Sequence, residues 1–415
     1  MSLGTLKPTF IKPNCHDQTM HHTCKDRIDA ASTSQLSESG DLAAGKWVID
    51  LILGCAKAIT EKDAARSNHL LWMLNELASP YGDRDQRKAA AFLQALFCKA
   101  SGSGDRCSRI LAIVAEKAQT FDSARRVILR FQEVSPWTTF GHVAANGAIL
   151  EAFEGVHDLH IIDISNTLCT QWPALLEALA NRSEDTPRLR LTTLVDEGDL
   201  GGPHGAVMIE VRQRMEKYAR LMRVPFEFEA VGGGLGSIGS VRVTDSEVVA
   251  VNLVGALRRV PVDARPSAVH GIAALGPRVV TVVEEEADLT GGEWAGRVSE
   301  CMRFYGTYYE MLDEGFGRVS EERLALERQC GRELVHTMGC ESAEGGRERS
   351  LRWSERMRNA GFGPAAFNFD AIDDVRALLK RYAGRWSVVS GEVPDTGLYL
   401  SWKDQPVVWA SAWKP

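Results

Sequence analysis

The spacing of apolar positions changes along the chain, and the change divides it. Ile49, Ile52, Ala56 and Ile59 fall three or four residues apart, the stripe of an amphipathic helix. Asp63 is placed to cap a second helix, whose Leu70, Leu74 and Leu77 share one face before Ser79-Pro80-Tyr81-Gly82 stops it. Asp83 with Gln86 three residues on forms a capping-box pair, and the helix it opens carries Ala89, Phe92, Leu93 and Leu96. Helical spacing continues from about Cys107 to Phe131. Residues 41–135 therefore read as an all-helical cap with leucine-rich faces. Such stripes ordinarily build a core, but short helices with this much apolar face also suit a docking partner. Leu51, Leu70, Leu71, Leu74 and Leu77 are the candidate contact positions.

Near residue 159 the period shortens. Leu159-His160-Ile161-Ile162-Asp163-Ile164 is a short β-branched run, and Gln171–Arg182 reads as a helix with Pro173 near its first turn. Arg188–Val195, Pro225–Val231, Glu247–Val254 and Arg278–Glu285 read as further strands. Val207, Val211, Met215, Tyr218 and Met222 repeat as a helix between the first two of these. Alternation of this kind implies a parallel sheet covered on both faces. A long helix with Trp294, Phe304, Tyr305, Tyr308 and Tyr309 follows, then helices over roughly 320–338, 347–360 and 370–382. Trp386–Val389, Leu398–Trp402 and Val407–Trp413 lie close enough together to be antiparallel strands, with Trp409 and Trp413 on one buried face. The expected fold is α/β: a Rossmann-like, methyltransferase-like core over 136–415 with antiparallel C-terminal strands, beneath the N-terminal helical cap. Residues 1–40, rich in Ser and Thr and without apolar period, read as a disordered tail.

Composition narrows the function classes. Forty-eight basic against 55 acidic side chains leave a net charge of −7, which disfavours binding driven by a nucleic-acid backbone. No apolar run approaches the ~18 residues of a membrane span, and no secretory leader is expected. The nine cysteines are odd in number and show no close pair spacing, so they suggest neither a disulfide framework nor a zinc knuckle, and a reducing compartment fits best. His16, His21 and His22 between Cys15 and Cys24 read as chance neighbours on the tail rather than metal ligands.

The candidate chemistry sits at strand ends. A cofactor-binding sheet needs glycines after its first strand so that backbone can approach the ligand. Here Asp163 is followed by Ile164-Ser165-Asn166-Thr167-Leu168-Cys169, without a glycine. Asp163 is therefore read as structural, holding neighbouring groups in a plug of packed side chains, with ligand contact as the alternative. Gly234-Leu235-Gly236-Ser237-Ile238-Gly239 is a literal G-x-G-x-x-G, but the strand at Glu247 leaves no room for the helix that fingerprint needs, so a flexible surface loop is expected. Glu284, Glu285 and Glu286 close a strand and are read as caps or salt-bridge partners before general acid–base groups. Arg349, Arg352 and Arg356, interleaved with Glu348 and Glu355, read as a solvated helix face.

These blocks resemble the plant GRAS family. Leu159, His160, Ile161, Ile162 and Asp163 match its VHIID motif, and Ser411, Ala412 and Trp413 its SAW motif. The stretch from Pro277 through Glu284 and Glu285 to Leu289, with Arg347, Arg349 and Trp353 behind it, is similar to the PFYRE block, and the leucine-rich helices match the remaining two blocks. Leu71–Gly82, Phe131–Ala152, Asp163–Val195 and Gln405–Pro415 resemble one root-patterning branch most closely. Two departures are the short tail and the glycine-rich stretches Gly201–Gly205 and Val231–Gly239. The resemblance implies a nuclear regulator of transcription, also present in cytoplasm and moving between cells, with no enzymatic activity and no cofactor. It implies pairing with a SCARECROW-like GRAS protein and with INDETERMINATE DOMAIN zinc-finger proteins, which would contact DNA on its behalf. The expected role is radial patterning and endodermis specification in roots. The alternative is a methyltransferase-fold enzyme or small-ligand binder, and direct DNA recognition is a third reading.

Overall fold

The computed structural model describes residues 45–118, 120–165, 168–182, 186–195, 204–341, 345–391 and 397–415. The expected tail over 1–40, with its Cys15–Cys24 histidines, lies outside them, as do Asn166, Thr167 and Gly201–Gly202. Along the chain helices come first: α1 Lys46–Thr60, α2 Ala64–Leu77, α3 Arg84–Ala100, α4 Gly104–Ala118, α5 Phe121–Val134 and α6 Thr139–Ala152. Asp63 caps α2 by accepting the Arg66 amide, and Asp83 and Gln86 close a reciprocal capping box on α3. α3 is held against two later helices, α10 Trp294–Gly315 and α11 Glu321–Leu334. The buried Arg87 guanidinium donates to Asp313 at 2.6 Å and Glu327 at 2.9 Å.

The remaining elements alternate as the apolar spacing requires: β1 Asp158–Ser165, α7 Trp172–Ala180, β2 Arg188–Val195, α8 His204–Met222, β3 Phe226–Gly232, β4 Val248–Val254, α9 Arg265–Ala273 and β5 Val279–Glu285. After α10 and α11 come α12 Ser350–Asn359, β6 Gly363–Ala365, α13 Phe369–Leu379, β7 Trp386–Ser390, β8 Leu398–Trp402 and β9 Gln405–Lys414. The strands form one sheet in the order β3-β2-β1-β4-β5-β9-β8-β7, with β6 paired to β9. Pairing is parallel from β3 to β5 and antiparallel from β5 onward. This is the expected α/β architecture, with β1 central between β2 and β4.

Alternation assigns the two faces. Ile162 and Ile164 of β1, Val251 and Leu253 of β4, Val280 and Val282 of β5, and Trp409 and Trp413 of β9 pack together under α9 and α12. Both tryptophans are fully buried. The opposite face of β5 meets α6 so closely that a Cβ on Gly141 would stand 2.4 Å from Val283 Cγ1. The stretch read as a flexible loop, Gly234–Gly239, is instead part of a packed 3₁₀ helix, Gly234–Ser240. Left-handed turns at Gly233 and Gly234 open it, and Leu235 and Ile238, one 3₁₀ turn apart, point into the core beside Val269 and Ile272.

Candidate functional site

The C-terminal end of a central strand is where a doubly wound sheet presents its chemistry, and β1 ends at Asp163. Cross-strand register sets Asp163, Asn252 and Thr281 side by side in β1, β4 and β5. All three are completely buried. Asn252 Nδ2 donates to Asp163 Oδ1 at 2.9 Å, and Thr281 Oγ1 donates to Asn252 Oδ1 at 2.8 Å. Trp172 Nε1 and Ser165 Oγ each donate to Asp163 Oδ2 at 3.0 Å. Gln171, one residue before α7, bridges Asn252 and the α6 residue Asn146, donating to Asn146 Oδ1 at 3.0 Å and accepting from Asn252 Nδ2 at 3.1 Å. Burial pushes the Asp163 carboxyl above its ordinary value, and hydrogen bonds from Asn252, Trp172 and Ser165 oppose that shift.

An adenosyl or dinucleotide group does not fit these residues. Both oxygens of Asp163 are occupied by the chain's own donors, and the fully buried Trp172 indole packs directly against the carboxylate. The chain enters α7 through Leu168 and Cys169 at φ +50° and +57°, so these two left-handed positions are taken by residues with side chains rather than by glycines. Asn146, Gln171 and Asn252 were not read from the sequence as part of this site. A polar residue inside an otherwise apolar strand, as Asn252 is, was the available signal.

The three glutamates closing β5 have separate structural partners. Glu284 accepts the Leu257 amide at 2.8 Å, and burial pushes its carboxyl up to about 7. Glu285 accepts from Trp137 Nε1 at 3.0 Å and pairs with Arg258 and Arg347. Glu286 accepts the Ser350 amide at 2.9 Å, where α12 begins. Arg347 also reaches Glu333 at 2.8 Å and Tyr305 Oη at 3.2 Å. Burial alone would lower its pKa, but Glu285 and Glu333 raise it well above the usual arginine value.

The other motif residues are architectural. Leu159, Ile161 and Ile162 are buried in β1, and His160 lies between Thr192 Oγ1 at 2.9 Å and Glu247 at 3.3 Å, its pKa lowered by burial. Pro277 is buried just before β5. Ser411 Oγ accepts from Trp413 Nε1 at 2.9 Å, and Ala412 sits buried opposite Thr281. Trp353 is enclosed between the guanidiniums of Arg265 and Arg356. Arg349 is half-exposed and pairs with Glu300 at 3.0 Å. The face expected to be solvated is thus only partly so. Glu348 is fully buried against Arg265 at 2.8 Å, because only a carboxylate can compensate the charge that Arg265 carries into the core.

The candidate partner-contact leucines divide. Leu71 and Leu74 are buried in the chain's own core, so they cannot serve a partner, because the α2 face they lie on is the one turned inward. Leu51 and Leu70 are half-buried and Leu77 is exposed. On α1 and α2 the exposed large apolar side chains are Ile49, Leu53, Trp72 and Leu77, each between 38% and 54% accessible. Beside Ile49 and Leu53 runs a groove of about 460 Å³ between α1, α3 and α10. Among the described residues no cluster of His, Cys, Asp or Glu is placed to hold a metal ion, and no helix is long and apolar enough to cross a membrane.

The sequence pattern of the GRAS domain family matches residues 48–414. The chain belongs to the GRAS domain family. Protein SHORT-ROOT of Arabidopsis thaliana is 48% identical over 409 residues, covering 93% of this chain and 77% of that protein. Protein SHORT-ROOT 2 of Oryza sativa subsp. japonica is 46% identical over 422 residues, covering 90% and 70%. The crystal structure of SCL7 in Oryza sativa is similar with a TM-score of 0.72 at 27% identity, covering 88% of this chain and 99% of that one. Its family and these relatives give this GRAS protein a plant regulatory role of the SHORT-ROOT-like kind.

Proposed function

We propose that this GRAS protein is a nuclear transcriptional cofactor that acts through protein contacts and transfers no chemical group. The observation that carries the reading is the polar network at the end of β1, where Asn252, Trp172 and Ser165 each donate to Asp163. Side chains packed at the end of the central strand support a scaffold role for the sheet. The exposure of the large apolar side chains Ile49, Leu53, Trp72 and Leu77 supports a partner on the first two helices. The resemblance to SHORT-ROOT supports a SCARECROW-like GRAS protein as that partner and INDETERMINATE DOMAIN zinc-finger proteins as the DNA-contacting members. It also supports a role in root radial patterning and endodermis specification, with movement between cytoplasm and nuclei of neighbouring cells.

The test is reconstitution with purified full-length proteins. A complex with the SCARECROW-like protein is expected, with slowed hydrogen exchange over α1 and α2, and DNA should be retained only when the zinc-finger protein is added. Salt-dependent DNA binding by this chain alone would favour direct recognition. Saturable micromolar binding of S-adenosylmethionine, lost in a folded Asp163→Ala protein, would restore the enzyme reading. In plants, failure of the chain to restore endodermis to a root lacking SHORT-ROOT would remove the developmental assignment.

A further inference from the structure

Of the fifteen residues of α4, Gly104 alone is buried. The helix lies against α3, α11 and the turn Val335–Gly339, and the side it turns to them carries Cys107, Ser108, Leu111 and Ala115, all half-buried. The larger apolar side chains are on the outside: Ile110, Ile113 and Val114 are 48%, 50% and 58% accessible. Three β-branched residues suit a solvated helix surface poorly, because they lose χ1 freedom there and bury nothing in return. At 3.6 residues per turn Arg106, Ile110, Ile113 and Lys117 form one stripe, with Val114 beside it. Both cations are exposed, and among the described residues neither has an ion-pair partner. Asp105, Arg109 and Glu116 lie together on one flank, about 100° round the helix from the stripe.

We propose that this stripe of α4 docks an amphipathic helix of a partner protein, one whose apolar side chains are flanked at both ends by carboxylates. The charge pattern selects that occupant. Arg106 and Lys117 stand about 16.5 Å apart along the axis, with the three apolar side chains between them. A second copy of the chain meets like charge. In an antiparallel pairing centred between Ile110 and Ile113, each Arg106 faces the other copy's Lys117, and in a parallel pairing each cation faces itself. The groove between α1, α3 and α10 is no better matched to α4 of a second copy, since Arg84, Lys88 and Arg303 line it against the single carboxylate of Glu310. A helix ended by carboxylates removes the conflict at both ends. Its apolar side chains cover Ile110, Ile113 and Val114 and supply the hold, while the outer ion pairs set register and partner choice. The surface lies apart from α1 and α2, so it serves a contact other than the one assigned to those helices.

The experiment titrates the full-length protein into a fluorescent synthetic helix that carries three leucines at i, i+3 and i+4, with a glutamate one turn before and one turn after them. A second peptide has lysine in place of both glutamates. Saturable binding of the glutamate peptide is expected, weakening as salt is raised, with the lysine peptide bound at least about tenfold less tightly. Ile110→Gln together with Ile113→Gln should abolish binding and leave the thermal midpoint unchanged. Arg106→Glu together with Lys117→Glu should reverse the preference to the lysine peptide, which general stickiness of an apolar patch would not do. Equal affinity for the two peptides, or binding of neither, would overturn the proposal. So would a dimer of the wild-type chain that the two glutamine substitutions dissolve. The complex with a SCARECROW-like protein should survive both pairs of changes, and its loss would make α4 part of that interface instead.

Discussion

Glu284 shows how one buried carboxyl ties stability to pH. Its folded value of about 7 lies above the ordinary 4.5, chiefly because burial disfavours the charged form, although Arg258 and the Leu257 amide favour it. The folded state therefore binds this proton more tightly than the unfolded chain does. Its contribution is fully present below pH 4.5 and is lost as pH rises through 7. Glu284→Gln keeps an acceptor for the Leu257 amide and removes the titration. In denaturant unfolding, the variant should gain on wild type by up to about 3 kcal/mol between pH 5 and pH 8. A constant difference over that range would show that Glu284 does not titrate there. Asp163 behaves differently because three donors depend on it. Asp163→Ala leaves the buried Trp172 indole N–H and one of the two Asn252 amide N–H groups without an acceptor and should cost about 2–4 kcal/mol. An unchanged urea midpoint would refute the structural role.

At the scale of elements, two close approaches set helix positions. α4 begins against the backbone of Gly339, where a Cβ on Gly104 would lie 2.0 Å from the carbonyl oxygen. Gly104→Ala should therefore separate α4 from the Val335–Gly339 turn, lowering stability by about 1–3 kcal/mol despite the better helix propensity of alanine. α6 lies on β5 at Gly141 in the same way, but there the obstacle is the Val283 side chain. Gly141→Ala combined with Val283→Ala should recover part of what Gly141→Ala loses, whereas no second side-chain change should rescue Gly104→Ala. Thermal midpoints of the four proteins decide this.

For the whole molecule, the decisive distinction is which leucines the chain keeps for itself. Leu74 is fully buried and Leu77, three residues on, is 44% accessible. Leu74→Ala should cost about 2–5 kcal/mol through the cavity it leaves, and Leu77→Ala should stay within about 0.5 kcal/mol. In the proposed complex the order reverses. Leu77→Asp together with Trp72→Asp should weaken binding to a SCARECROW-like protein at least about tenfold with the fold intact. Equal affinity of the double variant and wild type would move the interface off α2.

Sequence by itself determined what depends on neighbours along the chain. The Asp63 and Asp83 caps, the strand at Leu159–Ile164 and the shared face of Trp409 and Trp413 are local, since capping spans three residues and strand faces alternate by two. The missing glycines after Asp163 were equally legible. Tertiary structure alone decided whatever joins distant segments. Only sheet register sets Asn252 beside Asp163, and only the packing of α7 against α6 adds Gln171 and Asn146. Glu348 looks like surface in its helix pattern, yet the partner that holds it inside, Arg265, lies 83 residues away in the chain. Leu235 and Ile238 hid among glycines that suggested a loop, because a 3₁₀ turn buries residues three apart without a longer apolar stripe. Apolar periodicity states that a face will be covered. What covers it is set by where the rest of the chain comes to lie.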